Sequence, residues 1–140
     1  MNIAEALAYL DQHASYDVTG RIESPTLERI SALVGAAGDP QFSAPVIHVT
    51  GTNGKGSTTQ IITRLLMAQG LTVGSYGSPH LERINERICR NSEPISDEDF
   101  AEQIAAVADL EVITGVRPSY FEAVTLAAFR WFADVAVDVM

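Results

Sequence analysis

Apolar positions along the chain fall into helical and strand spacings in turn. From Asn2 to Asp11, Ile3, Ala6, Leu7 and Leu10 share one helical face, and Asn2 with Glu5 three residues on makes a capping box. Ser24 and Pro25 form a helix start, and Leu27, Ile30, Leu33 and Val34 keep helical spacing until Gly38-Asp39-Pro40 ends it. Pro45 and the run Val46 to Thr50 read as a strand buried on both faces. A Gly-rich turn follows, then a helix from about Lys55 to Ala68 bearing Ile61, Ile62, Leu65 and Leu66 and closed by Gly70. Leu71 to Tyr76 is a second strand, and a strand–helix–strand unit of this length predicts a parallel pair with a right-handed crossover.

Gly77 to Pro94 is irregular, with Glu86 to Arg90 as an edge strand and a turn at Asn91-Ser92-Glu93-Pro94. Ser96, with Asp99 three residues on, caps a helix carrying Phe100, Ile104 and Val107. Ser119, with Glu122, caps another with Phe121, Val124, Ala128 and Phe132 inward. Val135 to Met140 is a β-branched run read as a buried strand with no turn after it, so the chain is expected to be the front part of a longer protein.

Composition narrows the function classes. The 140 residues, 46% of them apolar, suffice for one domain with a core. Nine basic against eighteen acidic side chains give a net charge of −9, which argues against a nucleic-acid partner. The apolar runs are too short and too interrupted to cross a membrane, and no secretory leader pattern opens the chain. The single cysteine, Cys89, fits a reduced, cytoplasmic setting.

The segment Thr50-Gly51-Thr52-Asn53-Gly54-Lys55-Gly56-Ser57-Thr58 lies between a predicted strand and a predicted helix, the setting of a phosphate-binding loop. Gly51, Gly54 and Gly56 let the backbone turn its N–H groups toward a phosphate. Lys55, the chain's only lysine, supplies a compact cation for the β- and γ-phosphates, and the Ser57 hydroxyl is a hard ligand for Mg²⁺. The pattern departs from G-x-x-x-x-G-K-[ST]: Val49 replaces the first glycine and Gly56 separates the lysine from the hydroxyl. A bare Gly-Lys-Gly reads as a capping turn; the coincidence of strand, helix and sole lysine favours a phosphate.

Ser78-Pro79-His80-Leu81 follows the second strand and falls at the same sheet edge as the loop, where open α/β sheets bind ligands. Ser78 is either a second hydroxyl for the metal or a turn residue before proline. His80 is open between a cap, a ligand contact and an exposed residue. His48, within a buried strand, is expected to be a hydrogen-bonded core histidine, and His13 a surface one. Arg83, Arg87 and Arg90 form either a receiver for an anionic tail or a solvated hairpin face, and capping alone accounts for Glu122.

Taken in order, Gly51 to Ser57, Ser78 to Leu81, Asn85-Glu86-Arg87-Ile88, Pro94-Ile95-Ser96 and Tyr120-Phe121-Glu122 resemble the N-terminal part of the folylpolyglutamate synthase/dihydrofolate synthase family, in the Mur ligase superfamily. The likeness runs from about Arg21 to Met140. It implies an α/β, three-layer P-loop domain with a mainly parallel sheet, incomplete at its C-terminus. Residues 1–43 would form an N-terminal helical segment, and the C-terminal glutamate-ligase domain is absent. It further implies ATP-driven ligation: a carboxylate of dihydropteroate or of a folate's glutamyl tail attacks the γ-phosphate, and the amine of L-glutamate attacks the acyl phosphate.

Carried over by resemblance, residues Gly51, Thr52, Asn53, Gly54, Lys55, Gly56, Ser57 and Thr58 bind ATP, with Lys55 catalytic and Ser57 and Ser78 on the Mg²⁺ side. Pro25, Thr26 and Leu27, the segment Ser119, Tyr120, Phe121 and Glu122, and also His80 and Arg83, are substrate candidates. The family's metal glutamate, metal histidine and carbamylated lysine are expected beyond Met140, so the chain alone is expected to be inactive and its parent a monomer acting on small molecules. A Mur-type ligase for another acid, or a non-catalytic nucleotide-binding module, are the alternatives.

Overall fold

The structure is a computed structural model and describes residues 1–15, 19–21 and 25–140. Five helices are described, α1 (Ile3–Asp11), α2 (Glu28–Ala36), α3 (Lys55–Ala68), α4 (Asp97–Thr114) and α5 (Tyr120–Asp134), with strands β1 (Gly74–Tyr76), β2 (Ile88–Arg90) and β3 (Glu93–Pro94). Short 3₁₀ turns cover Pro40–Phe42 and Ile84–Arg87. The caps read from sequence are present: Asn2 accepts from the Glu5 amide, Ser96 from Asp99 and Ser119 from Glu122, and the Asn2 and Ser119 boxes are reciprocal. Gly115, at φ 68°, lets the backbone leave α4 in the left-handed region. The helix start expected at Ser24 lies outside the described residues. α2 begins at Glu28, whose amide donates to Thr26 Oγ1 at 3.1 Å.

The sheet is mixed. β1 pairs antiparallel with β2, Ser75 opposite Cys89, and β2 with β3 through a hairpin whose turn residues Asn91 and Ser92 both have positive φ, 49° and 67°. The stretch expected as an edge strand, Glu86 to Arg90, is therefore a 3₁₀ turn followed by the middle strand of this hairpin sheet. The other side of β1 is parallel. Val73 pairs with Val139, and the Gly74 amide donates to Val139 O at 2.9 Å. Beyond it, Met140 N donates to Pro45 O and Ile47 N to Met140 O, each at 2.9 Å, the alternation of parallel strands.

The two strands predicted on either side of α3 thus run the same way, as expected, but they are not neighbours: residues 138–140 lie between them. Sequence adjacency did not set sheet order here, because the β-branched C-terminal run is the better partner for both. Segment 45–49 in turn lies at the edge. It is not buried: Val46 and Ile47 are about half exposed and His48 is exposed, contrary to the core role expected of that histidine.

The core lies among α1, α2, α4, α5 and β2, where Leu10, Leu33, Ile88, Phe100, Ile104, Leu126 and Phe132 are buried. Each such side chain contributes roughly 1.5–3 kcal/mol relative to exposure. Gly74 is required by this packing, since a Cβ there would sit 2.6 Å from the Phe132 ring. Three expectations change. His13 is buried, not on the surface. Phe121, at the start of α5, is half exposed. α3 turns Ile62, Thr63 and Leu66 inward but leaves Ile61 and Leu65 exposed, because its apolar residues span more than one face. Among the described residues no helix is long and apolar enough to cross a membrane.

Candidate functional site

The Gly-rich loop lies where the sequence places it, between the 45–49 segment and α3. Gly51 has φ 142° and Gly54, the N-cap of α3, φ 77°; both lie in the region that favours glycine. The first hydrogen bond of the helix runs from Thr58 N to Gly54 O at 2.9 Å, and no side chain caps the end. The amides of Lys55, Gly56 and Ser57 are therefore left for an acceptor outside the helix, at its positive pole. A Cβ at Gly51, Gly54 or Gly56 would meet nothing within 4 Å, so no other part of the described chain crowds the loop there. Lys55 folds back across this mouth, its Nζ 2.6 Å from Gly51 O. A phosphate would draw that ammonium off a neutral carbonyl and onto charged oxygens.

The edge at which this loop stands is fixed by strand direction. Segment 45–47 and β1 both run parallel to 138–140, so the loop after the first and the Ser78–Leu81 stretch after the second leave the sheet at the same end. Ser78 is exposed there. Leu81, Glu82 and Arg83 are gathered around one carboxylate: their amides donate to Glu86 at 2.9, 3.0 and 2.9 Å. These backbone N–H groups hold the Glu86 carboxyl below the ordinary value.

The three arginines of this stretch do not form one patch. Arg83 pairs with Asp97 at 2.6 Å and Arg90 is exposed. Arg87 is buried, its Nε donating to His80 Nδ1 at 2.9 Å and its guanidinium lying 5.6 Å from the Tyr120 ring centroid.

The remaining substrate candidates fall into two groups that the fold brings together. Arg29, in the first turn of α2, makes a two-pronged ion pair with Glu122 in the first turn of α5, Nε to Oε2 at 3.0 Å and Nη2 to Oε1 at 3.1 Å. The segment Pro25 to Leu27 is thereby placed beside Ser119 to Glu122. Within it Leu27 is 77% exposed and Phe121 is half exposed, two apolar surfaces open to a ligand. Ser119 and Glu122 are engaged in their capping box, and Glu122 is buried. Arg29 is pushed up by its hydrogen bond to Glu122. Sequence reasoning missed Arg29, because its partner is 93 residues away and no spacing marks the pair.

Magnesium takes oxygen ligands, usually including a carboxylate. Ser57 and Ser78 offer hydroxyls, and among the described residues no group of three or more His, Cys, Asp or Glu side chains converges. These residues do not by themselves fit a magnesium centre.

No family model matches the chain. It is 40% identical to folylpolyglutamate synthase of Lacticaseibacillus casei over 99% of its own length and 32% of that protein, and 37% identical to the dihydrofolate synthase/folylpolyglutamate synthase of Bacillus subtilis over 88% of its length and 30% of that protein. It superposes on the crystal structure of the Thermotoga maritima folylpolyglutamate synthase with a TM-score of 0.86 at 38% identity, covering 98% of the chain and 31% of that structure. The chain belongs to the folylpolyglutamate synthase/dihydrofolate synthase family. It spans about a third of the length of these relatives. The expected α/β fold is that of the folylpolyglutamate synthases, with parallel pairing on the loop-bearing side of β1 and antiparallel pairing beyond it. Solved synthase structures of this family include a complex with AMPPCP and folate, at TM-score 0.85 and 37% identity to this chain, and Mycobacterium tuberculosis complexes with ADP and AMPPCP, at 0.86 and 34%.

Proposed function

We propose that the chain supplies the phosphate-binding part of an ATP-dependent ligase that joins L-glutamate to the carboxylate of a folate or dihydropteroate. The observation that carries this is the uncapped N-terminus of α3, with Lys55 at its mouth, at the sheet edge where Ser78 and His80 also emerge. In the reaction a substrate carboxylate oxygen bonds to the γ-phosphorus as the bond to the β,γ-bridging oxygen breaks and ADP leaves. The glutamate amine then attacks the acyl carbon, loses a proton, and phosphate leaves. The chain's own contribution is electrostatic. The free amides of residues 55–57 and the Lys55 ammonium meet the negative charge that accumulates on phosphoryl oxygens. Leu27, Phe121 and the segments around them would receive the flat apolar part of the acid, their spacing set by the Arg29–Glu122 pair.

Within residues 1–43, α1, α2 and the 3₁₀ turn at Pro40–Phe42 would belong to an N-terminal helical segment leading into the ATP-binding part. Ser57 and Ser78 would offer hydroxyl oxygens to a magnesium ion, and among the described residues no cluster of carboxylates joins them. A cytoplasmic location is supported by Cys89, which is free and buried. The test is calorimetric titration of the chain with AMPPCP. Lys55→Ala is expected to weaken binding about tenfold or more, the worth of a charge-assisted hydrogen bond, with an unchanged melting temperature, because Lys55 is exposed and touches only the loop. Equal affinity for the two proteins would remove the phosphate-loop assignment.

A further inference from the structure

We propose that Arg87 is a positioning residue, locking His80 in the tautomer that carries its proton on Nε2, so that His80 presents a hydrogen-bond donor to an anionic oxygen at the loop-bearing edge of the sheet. Arg87 is always protonated and its Nε can only donate, so the Nδ1 atom 2.9 Å away must be the bare, accepting nitrogen. The ring's one proton is then on Nε2. The donor is held firmly in place. Arg87 is 3% exposed, its guanidinium lies over Tyr120, and its carbonyl accepts from the Gly77 amide at 2.9 Å, which ties the guanidinium's backbone to the residue before Ser78.

His80 itself is half-buried, and among the described residues no protein acceptor meets its Nε2. A donor fixed by a buried cation, at the same sheet edge as the uncapped end of α3, suits an oxygen of a carboxylate or of a phosphoryl group. The ligand half of this inference rests on the proposed function; the tautomer half does not.

The test has two arms. Long-range ¹H–¹⁵N correlation of the histidine rings in the ¹⁵N-labelled chain, with the His80 signals identified by their loss in His80→Gln, is expected to show the Nε2–H form. Arg87→Lys, which keeps a donor, should retain it, and Arg87→Met should mix the tautomers. If Arg87→Met does not fold, the wild-type spectrum decides. A ring protonated on Nδ1, alone or together with Nε2, overturns the positioning role.

The second arm titrates AMPPCP and folate separately into wild type, His80→Gln and His80→Ala. His80→Ala is expected to weaken one ligand about tenfold, and His80→Gln, whose amide donor sits where Nε2 was, to lose less. A loss confined to AMPPCP identifies a phosphoryl oxygen, and one confined to folate a carboxylate. No effect on either, or no binding of either by the wild type, overturns the donor role. Dependence of AMPPCP binding on Lys55 reports separately on the phosphate loop, so failure there and failure here are told apart.

Discussion

Glu111 gathers three side chains from two other parts of the chain. One of its oxygens accepts from the Tyr9 hydroxyl and lies 2.9 Å from His13 Nε2, and the other accepts from Arg117 Nη1 at 2.9 Å. Arg117 also donates to Gln12 O at 2.7 Å, so one carboxylate fastens the end of α1 to the end of α4. Burial raises the Glu111 carboxyl, but the hydrogen bonds from Tyr9 and His13 and the charges of His13 and Arg117 outweigh it and leave the group below its ordinary value of 4.5. Burial, followed by the bond to Glu111, pushes the Tyr9 phenol up. Between the lowered folded value of Glu111 and the unfolded one, the unfolded chain binds more protons, so stability rises with pH there. The contribution is full above the ordinary carboxylate value and is lost as pH falls through the folded value. Glu111→Ala is expected to cost about 2 kcal/mol at neutral pH and to flatten the acid limb of stability, read from urea midpoints at stepped pH. An unchanged acid limb would show that the network contributes nothing. None of this was legible in the sequence: His13 follows a polar residue just past a helix end, and only the docking of α4 encloses it.

At the scale of elements, local chemistry was the readable part. Asn2, Ser96 and Ser119 announce their helices because capping needs only residues three apart. Ser119→Ala is expected to lower stability by about 1 kcal/mol, and somewhat more here, because Glu122 would lose part of the frame that holds it toward Arg29. A thermal melt measures this. Sheet order was not readable, since hydrophobic period gives the strand but not its neighbour. Close packing was equally hidden: Gly74 looks like any strand glycine, yet its missing Cβ is space taken by Phe132. Gly74→Ala is expected to destabilise by about 1–3 kcal/mol through overpacking, and Phe132→Leu in the same chain should recover part of it. Additive losses would mean the two positions are not in competition.

For the whole molecule, the Gly-rich loop was legible because its residues are contiguous and it stands directly before a helix. The substrate candidates stood in the sequence only as scattered positions, and it is the Arg29–Glu122 pair that brings two of their segments together. The chain's net charge of −9 says little about its ligand, since the proposed anion is met by one lysine and a helix end. Removal of Val137 to Met140 is expected to strip protection from the Ile47 and Gly74 amides in hydrogen exchange, because both donate to that segment. Retained protection would show that the loop's strand stands without it.

The insertion of 138–140 between the two loop-bearing strands also dictates an order of assembly. Segment 45–49 leaves the ribosome early, but among the described residues its backbone partner is Met140, more than ninety residues later. Closing so long a loop is slow relative to forming the local helices. The α-helical core can condense first, and the Gly-rich loop acquires its footing afterwards, when α5 has docked and carried residues 138–140 into place. During synthesis, the loop would stand on an unpaired strand until that moment.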